Sequence, residues 1–414
     1  MSQVVEHRRP GPLRVIVTAA TALVAAVLPM FLIGALGPRI IADLGVDEVA
    51  IGAVVAVFFL ASALLSLPGG ALTDRVGSTA ALRIGALIAA TLSVIIALLG
   101  QALWILLVLF ALAGAAVPMA DTGGARAIAA GVPVDRQGIA FGGKEASIPV
   151  AALLAGLVVP VLGAQVGWRP AYAVAAGLAV VVAVLVPRGL DTARRADVTV
   201  AAAGSTLPGH DPARTRSDDH PPVTSRRAAL VLLAVAAGLG GGAANSAPTF
   251  LVTSAVVGGM TEARAGLLLA VASGAGVLMR LLSGVAADRY HGSERRLTAV
   301  LMGIGALGMV GLAVGSPVIA GVGAILAFGG GWGWTGLAFL AAVRLLADRP
   351  ARAAGAILAG LGSGGALGPL AFGALAAGPG YAVAWSAGAG ALLTAAVLAG
   401  TAEVVIRRGR GGPP

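Results

Sequence analysis

The chain has 414 residues, 58% of them apolar before its 62 glycines are counted and only 11% charged, against a charged share of about 25% in soluble domains. So few charges cannot coat a water-exposed surface of this size, which excludes a soluble fold together with disorder, collagen and coiled coil. The net charge of +10 is spread through short gaps between apolar runs rather than gathered in a patch that would suit nucleic acid, and with no cysteine and all four histidines (His7, His210, His220, His291) outside those runs, neither a disulfide nor an intramembrane metal site has ligands.

A bilayer core about 30 Å thick takes roughly 20 helical residues. Twelve runs near that length, bounded by charge, Gly or Pro, predict spanning helices. In the first half they are Leu13 to Leu36, Ala50 to Leu72, Ala80 to Leu99, Ala102 to Ala130, Gly138 to Leu162 and Pro170 to Val186. In the second half they are Ala228 to Val257, Ala265 to Ala286, Leu297 to Val314, Val318 to Leu346, Ala353 to Leu375 and Ala382 to Val405. The first run is too long for a cleavable signal sequence and lacks a convincing cleavage site, so it is expected to stay as a helix. With the N-terminus inside, Arg39, Arg169 and Arg264 fall outside, and the other basic residues lie in cytoplasmic segments or, as with Arg126, Lys144 and Arg280, within spans, an asymmetry that places both termini inside.

One long gap, Pro187 to Arg227, is rich in Pro, Asp, Arg, Ser and Thr without apolar period and reads as a flexible cytoplasmic linker. It divides the chain into a six-helix bundle (1–186), the linker (187–227) and a second six-helix bundle (228–414). The halves repeat. Gly45 to Arg75 aligned on Gly259 to Arg289 without gaps matches 11 of 31 positions, among them Glu48 with Glu262, Gly52 with Gly266 and Asp74 with Asp288. Pro160 and Tyr172 likewise match Pro369 and Tyr381, and Pro29 and Phe31 match Pro248 and Phe250.

The gap after the second helix reads Gly70-Ala-Leu-Thr-Asp74-Arg75-Val-Gly77, and the gap after the eighth reads Gly284-Val-Ala-Ala-Asp288-Arg289-Tyr-His-Gly292. With twelve spans, a 6+6 repeat and a basic central loop, this pattern resembles the major facilitator superfamily over nearly the whole chain. Ser78 and Thr79 replace the basic residues that usually follow the first copy, and the second copy has one extra residue before Gly292. The residues themselves suggest that Gly70 and Gly284 allow close helix approach and that Gly77 permits a tight turn. The resemblance implies an all-α fold of two pseudo-repeats and an alternating-access transporter. It also implies that Asp74 meets the start of helix 11, near Arg352, to hold the cytoplasmic gate shut.

The resemblance makes helices 1, 4, 7 and 10 the cavity wall. Helix 7 offers Asn245, Ser246 and Thr249 around Pro248, beside the run Gly238 to Gly242, and a break near the midplane there would mark a transport site; otherwise these small polar residues satisfy helix backbone. Helix 10 carries Trp332 and Trp334, too deep for an interfacial belt; two residues apart they point about 200° apart, so one would line the cavity while the other packs, with Trp334 the candidate.

Ionisable residues inside spans are functional candidates because lone charges are costly in lipid. Asp121 and Lys144 lie about equally deep on antiparallel helices 4 and 5, with Glu145 adjacent and Arg126 one turn nearer the cytoplasm. They form either a structural brace or a proton-coupling site in which Asp121 or Glu145 titrates. Arg280, with the spacing Arg280-x-x-x-Gly284-x-x-x-Asp288, looks like the helix 8 pattern of monocarboxylate and oxalate/formate porters. It would contact an anionic substrate through its guanidinium fork or snorkel to the interface. The helix 5 antiporter signature survives only as Gly156, Pro160 and Gly163, which argues against a drug/proton antiporter. No P-loop exists, so ion gradients are left as the drive.

The expectation is therefore a cofactor-free, non-enzymatic, monomeric permease of a bacterial cytoplasmic membrane, moving a small organic anion with protons. An exporter of drugs or antibiotics is the rival, and a non-transporting sensor is a remote third reading.

Overall fold

The computed structural model describes residues 10–133, 136–163, 166–190, 222–289, 293–346 and 350–410, and the following concerns those residues. They form helices and no strand. The main helices are α1 (Pro12–Ala35), α2 (Glu48–Val76), α3 (Ser78–Leu99), α4 (Leu103–Ala113 and Ala116–Gly131), α5 (Gln137–Glu145 and Ser147–Val158, closing on a π-helical turn Val159–Gly163) and α6 (Arg169–Leu185). After the linker come α7 (Val223–Val257), α8 (Glu262–Arg289), α9 (Glu294–Val314), α10 (Pro317–Gly333 and Thr335–Leu345), α11 (Pro350–Ala377) and α12 (Tyr381–Arg410). Eleven of them are long and apolar enough to cross a membrane; α6 has 17 residues, about 25 Å.

Helices outrun the apolar segments that announce them, because charged residues at an end complete the last turn in the aqueous boundary. Thus α12 runs on to Arg410, α8 starts at Glu262 and α7 starts at Val223. A short helix, Gly37–Leu44, between α1 and α2 has no span-length pattern and is absent from the sequence expectation. Asp47 caps α2 by accepting from Ala50 N at 2.9 Å, and Gly77 turns the chain into α3 at φ +86°, a conformation that favours glycine. Of the two readings of helix 7, the structure has the intact one: α7 is continuous for 35 residues past Gly238–Gly242 and Pro248.

Its glycines serve packing. Gly360, Gly364 and Gly368 of α11 lie at four-residue intervals against Ala234, Gly238 and Gly242 of α7; a Cβ on Gly364 would stand 2.0 Å from the Gly238 carbonyl oxygen. By the same means α9 meets α10, with Gly308 against Gly323 and Ala327. Backbones this close gain dispersion and exclude lipid, which is how helices associate where the solvent is itself apolar. Gly284 and Gly70, expected to mediate such approaches, do not: nothing stands within 4 Å of a Cβ built on Gly284, and only Thr122 Cγ2 at 3.9 Å for Gly70.

The reason is that α1–α6 and α7–α12 meet along α2 with α11 and α5 with α8, closely at one end and apart at the other. Away from the linker, Gly52 abuts Pro369, Gly156 abuts Gly266 and Gly34 abuts Thr249. Two polar ties cross there, Arg39 Nε to Glu262 Oε2 at 2.6 Å and Tyr381 Oη to Glu48 Oε1 at 3.1 Å. Towards the linker the helices splay, leaving Leu67 87% exposed.

Asp43, in the short helix outside the spans, accepts from Trp168 Nε1 at 3.0 Å and Arg169 Nη1 at 2.7 Å. These bonds, Trp168 first, hold its carboxyl below the ordinary 3.8. A depressed folded-state pKa adds stability above the unfolded value that is lost as pH falls through the folded one. Asp43→Asn is expected to lower Tm in detergent at pH 6 and to match the unmutated chain near pH 2. On the packing side, Gly364→Ala is expected to destabilise by about 1–3 kcal/mol through overpacking. Gly355→Ala, in open space, should leave Tm unchanged or slightly raised in the same thermal-unfolding assay.

Candidate functional site

Three long helices are interrupted: α4 at Gly114–Ala115, α5 at Ala146 and α10 at Trp334. The last two interruptions face one side chain, Arg280 of α8. Its Nη1 donates to the Glu145 backbone carbonyl at 2.5 Å and its Nε to the Trp332 backbone carbonyl at 3.3 Å. Each carbonyl belongs to the final turn of a helical segment, where carbonyls lack intrahelical donors and carry the negative end of the helix dipole. The guanidinium, its side chain 9% exposed, also lies 3.6 Å from Glu145 Oε2 and 5.2 Å from the Trp332 ring centroid, within cation–π range.

Lys144, one residue before Glu145, is buried under the same surface. Its Nζ bonds Asp121 Oδ1 of α4 and stands 3.0 Å from Glu145 Oε1. Gly124 makes room for it, since a Cβ there would meet Lys144 Cδ at 3.4 Å. The result is a chain of alternating charge, Asp121, Lys144, Glu145, Arg280, running from α4 through α5 to α8 with formal charge zero. Both cations are buried, whereas the carboxylate side chains of Asp121 and Glu145 are 46% and 45% exposed. Trp332 extends the chain into the second set of helices: its indole Nε1 donates to the Ala244 carbonyl of α7 at 2.8 Å, and its ring lies 5.8 Å from Phe31 of α1.

Such a cluster, neutral and open towards one face between two sets of spanning helices, suits a solute path rather than a bond-making centre. The sequence profile of the Major Facilitator Superfamily matches residues 15–369. The chain belongs to the major facilitator superfamily. It is therefore a multi-pass membrane transporter rather than an enzyme. Among solved structures, a nucleoside transporter, NupG, in a mutant form is similar at TM-score 0.69 and 14% identity, over 95% of this chain and 98% of that one. A bacterial homologue of the human lysosomal transporter Spinster, inward-facing and unoccupied, is similar at TM-score 0.63 and 16% identity over 97% of both chains. The same homologue, inward-facing and occupied, gives 0.64 at 16% identity over 96% of both. At these identities the likeness establishes the fold. No curated protein matches the sequence significantly.

Several residues singled out in the sequence fall differently from expectation. Arg126 does not join the charge cluster; its Nη1 reaches Asp74 Oδ1 at 3.0 Å. Asp74, its side chain 79% exposed, meets Arg126 in this open arrangement and not the start of α11 near Arg352, because the linker-side ends have separated. Arg75 sits exposed in the last turn of α2, where a cation favours the helix dipole. The side chains of Asp288 and Arg289, and all of Gly292, lie outside the described residues.

Asn245 donates to the Gly241 carbonyl of its own helix at 2.8 Å, and Ser246 and Thr249 bond back in the same way. They bond back to their own helix, while the carbonyl that Pro248 leaves without an amide, that of Ala244, accepts from Trp332 Nε1. Trp334, expected in the cavity wall, is fully buried over Gly240, with no partner for its indole N–H among the described residues. Trp332 holds the place beside Arg280 instead.

Sequence reasoning missed the junction of Glu145 with Arg280, since level depth within α4 and α5 says nothing about α8. It also missed the two glutamates Glu48 and Glu262 as ties between helix sets, although their match in the internal repeat was the available signal. A third cluster, Glu403 with Arg295 at 2.8 Å and Arg407 at 2.6 Å, joins α9 to α12 near the linker end.

Removing one member of a buried ion pair strands the other. Lys144→Ala is expected to cost about 3–5 kcal/mol in a detergent unfolding assay. Arg126→Gln, which breaks an exposed pair with Asp74, should cost about 1 kcal/mol or less.

Proposed function

We propose that the chain is a proton-coupled secondary transporter of a small organic anion, with Glu145 as the proton acceptor and Arg280 as the anion receptor. The observation that carries this is the position of Glu145, half-exposed on the open side and held between the buried cations Lys144 and Arg280. A proton on Glu145 leaves the cluster with one uncompensated positive charge, and a buried charge of that kind is costly until an anion arrives. Arg280 keeps its place meanwhile, because the Glu145 and Trp332 carbonyls and the Trp332 ring hold it independently of the Glu145 carboxylate. Proton and anion together restore neutrality; either alone does not. A cationic solute would need Asp121 or Glu145 free of its counter-ion, and both are paired.

In this reading Glu145 and Arg280 belong to different six-helix bundles, 1–186 and 228–414, joined by the linker 187–227, so loading their junction biases the rocking of one bundle on the other. In the opposite conformation the separated ends close, bringing Asp74 from Arg126 towards the start of α11. The excess of arginine on the linker side supports a cytoplasmic location for both termini, and in this reading the membrane is a bacterial cytoplasmic one. With α6 counted as a span, the total is twelve in a single working monomer.

The test is thermal unfolding of the purified protein against carboxylates, sugars, amino acids, nucleosides and cationic amphiphiles, followed by transport of the best binder in proteoliposomes. A carboxylate at 100 times its Kd should stabilise by about 2.7 kcal/mol, and the shift should vanish in Arg280→Ala. Glu145→Gln should retain solute exchange but lose acceleration by an imposed pH gradient. A shift with cationic amphiphiles that survives Arg280→Ala would overturn the anion reading in favour of an exporter.

A further inference from the structure

The charge cluster is not the only concave feature. A cavity of about 850 Å³ lies between α11 and α12 with α7 as its floor, away from Glu145 and Arg280. Its floor is made of glycine and alanine: Ala234, Gly238 and Gly242 of α7 meet Gly360, Gly364 and Gly368 of α11 so closely that no side chain stands between them. Its rims are branched and exposed, with Val231 at 61% and Leu367 at 65%. Along α11 the lining runs from Arg352 to Leu375, about 35 Å at 1.5 Å per residue, comparable with the hydrocarbon thickness of a bilayer.

Most of the outer surface of these helices carries Leu and Val that project into lipid. This strip does the reverse: it withdraws side chains and leaves a channel. A channel walled by apolar atoms within the bilayer takes hydrocarbon, since water there would find no partners. One end is charged. Arg352 lines the cavity at its linker-side end, and Arg227 lies one turn from Leu230 and Val231, the first α7 residues of the lining. Both arginines are exposed, and neither makes a hydrogen bond or ion pair among the described residues, whereas Arg295, Arg344 and Arg407 nearby are each bound to a glutamate.

We propose that this groove is a binding site for an anionic phospholipid of the bilayer, its phosphate between Arg227 and Arg352 and an acyl chain along the glycine floor. The groove leads into the α7–α11 contact, so a bound lipid supports the packing of α11, the helix that α2 presses on from the other bundle. Headgroup charge gives the selectivity, because each arginine near the surface adds to the attraction of an anionic lipid and none to a zwitterionic one.

The experiment is native mass spectrometry of the detergent-purified full chain, exposed in turn to dioleoyl phosphatidylglycerol and dioleoyl phosphatidylcholine. Phosphatidylglycerol adducts should exceed phosphatidylcholine adducts by about fivefold for each arginine and fall to the phosphatidylcholine level in Arg227→Gln/Arg352→Gln. Ala387→Trp, which fills the groove from its α12 wall and leaves both arginines in place, should remove the adducts of either lipid. Equal retention of the two lipids by the unmutated chain would overturn the proposal, as would phosphatidylglycerol retention unchanged in both variants. Uptake of a soluble anionic amphiphile into proteoliposomes that stops in the double variant would make the groove a solute path and would also overturn it.

Discussion

A cation among apolar helices must be neutralised where it stands, and the architecture around Lys144 and Arg280 answers that requirement. Lys144 is met by carboxylates from α4 and α5. Arg280 is met by a carboxylate, two backbone carbonyls and an indole ring drawn from α5 and α10. Both carbonyls are available for it: the amide that would take the Glu145 carbonyl in a helix belongs to Pro149, which has no N–H, and α10 is interrupted two residues after Trp332. Four helices are thereby fixed relative to one another around a cluster whose total charge is zero, and that zero is what makes a single proton consequential. At an exposed pair such as Arg126–Asp74 losing one charge costs a surface contact; here it unbalances a junction between two bundles.

The second constraint is the absence of a hydrophobic force between helices in lipid. Small residues replace it. The α7–α11 and α9–α10 contacts are built on glycine backbones touching, with the rings of Phe250, Phe372 and Trp385 packed together across α7, α11 and α12. The price in helix propensity is bearable because a membrane helix cannot unwind without exposing its amides to hydrocarbon. The same glycines fix where the bundle is rigid and where it is not: contacts are tight away from the linker, with Arg39–Glu262 and Tyr381–Glu48 across the seam, and open near it, where Asp74 turns to Arg126.

Much of the fold was legible because its two signals are long-range and redundant. Apolar runs of bilayer length locate helices whatever their contacts, and the repeat from Gly45 to Arg75 and Gly259 to Arg289 gives their order twice. The missing helix, Gly37–Leu44, is short and amphipathic, below the length at which an apolar run says anything. At the site, equal depth on antiparallel neighbours allows Asp121 to pair with Lys144 without deciding it, and it says nothing of the partner of Glu145, because depth does not fix helix rotation. Choosing Trp334 over Trp332 failed for that reason. Asn245 left two readings, a break beside Pro and Gly or a side chain bonded to its own helix, and its amide takes the second.

The most direct test is the proton count of solute binding. An unbuffered detergent solution of the protein would be titrated with the carboxylate that stabilises it best, recording pH together with ligand saturation. Uptake of close to one proton per bound solute, abolished in Glu145→Gln while binding persists, is the expected result. Binding without proton exchange, or equal uptake in Glu145→Gln, would contradict the assignment of Glu145 and with it the neutral cluster as the coupling device.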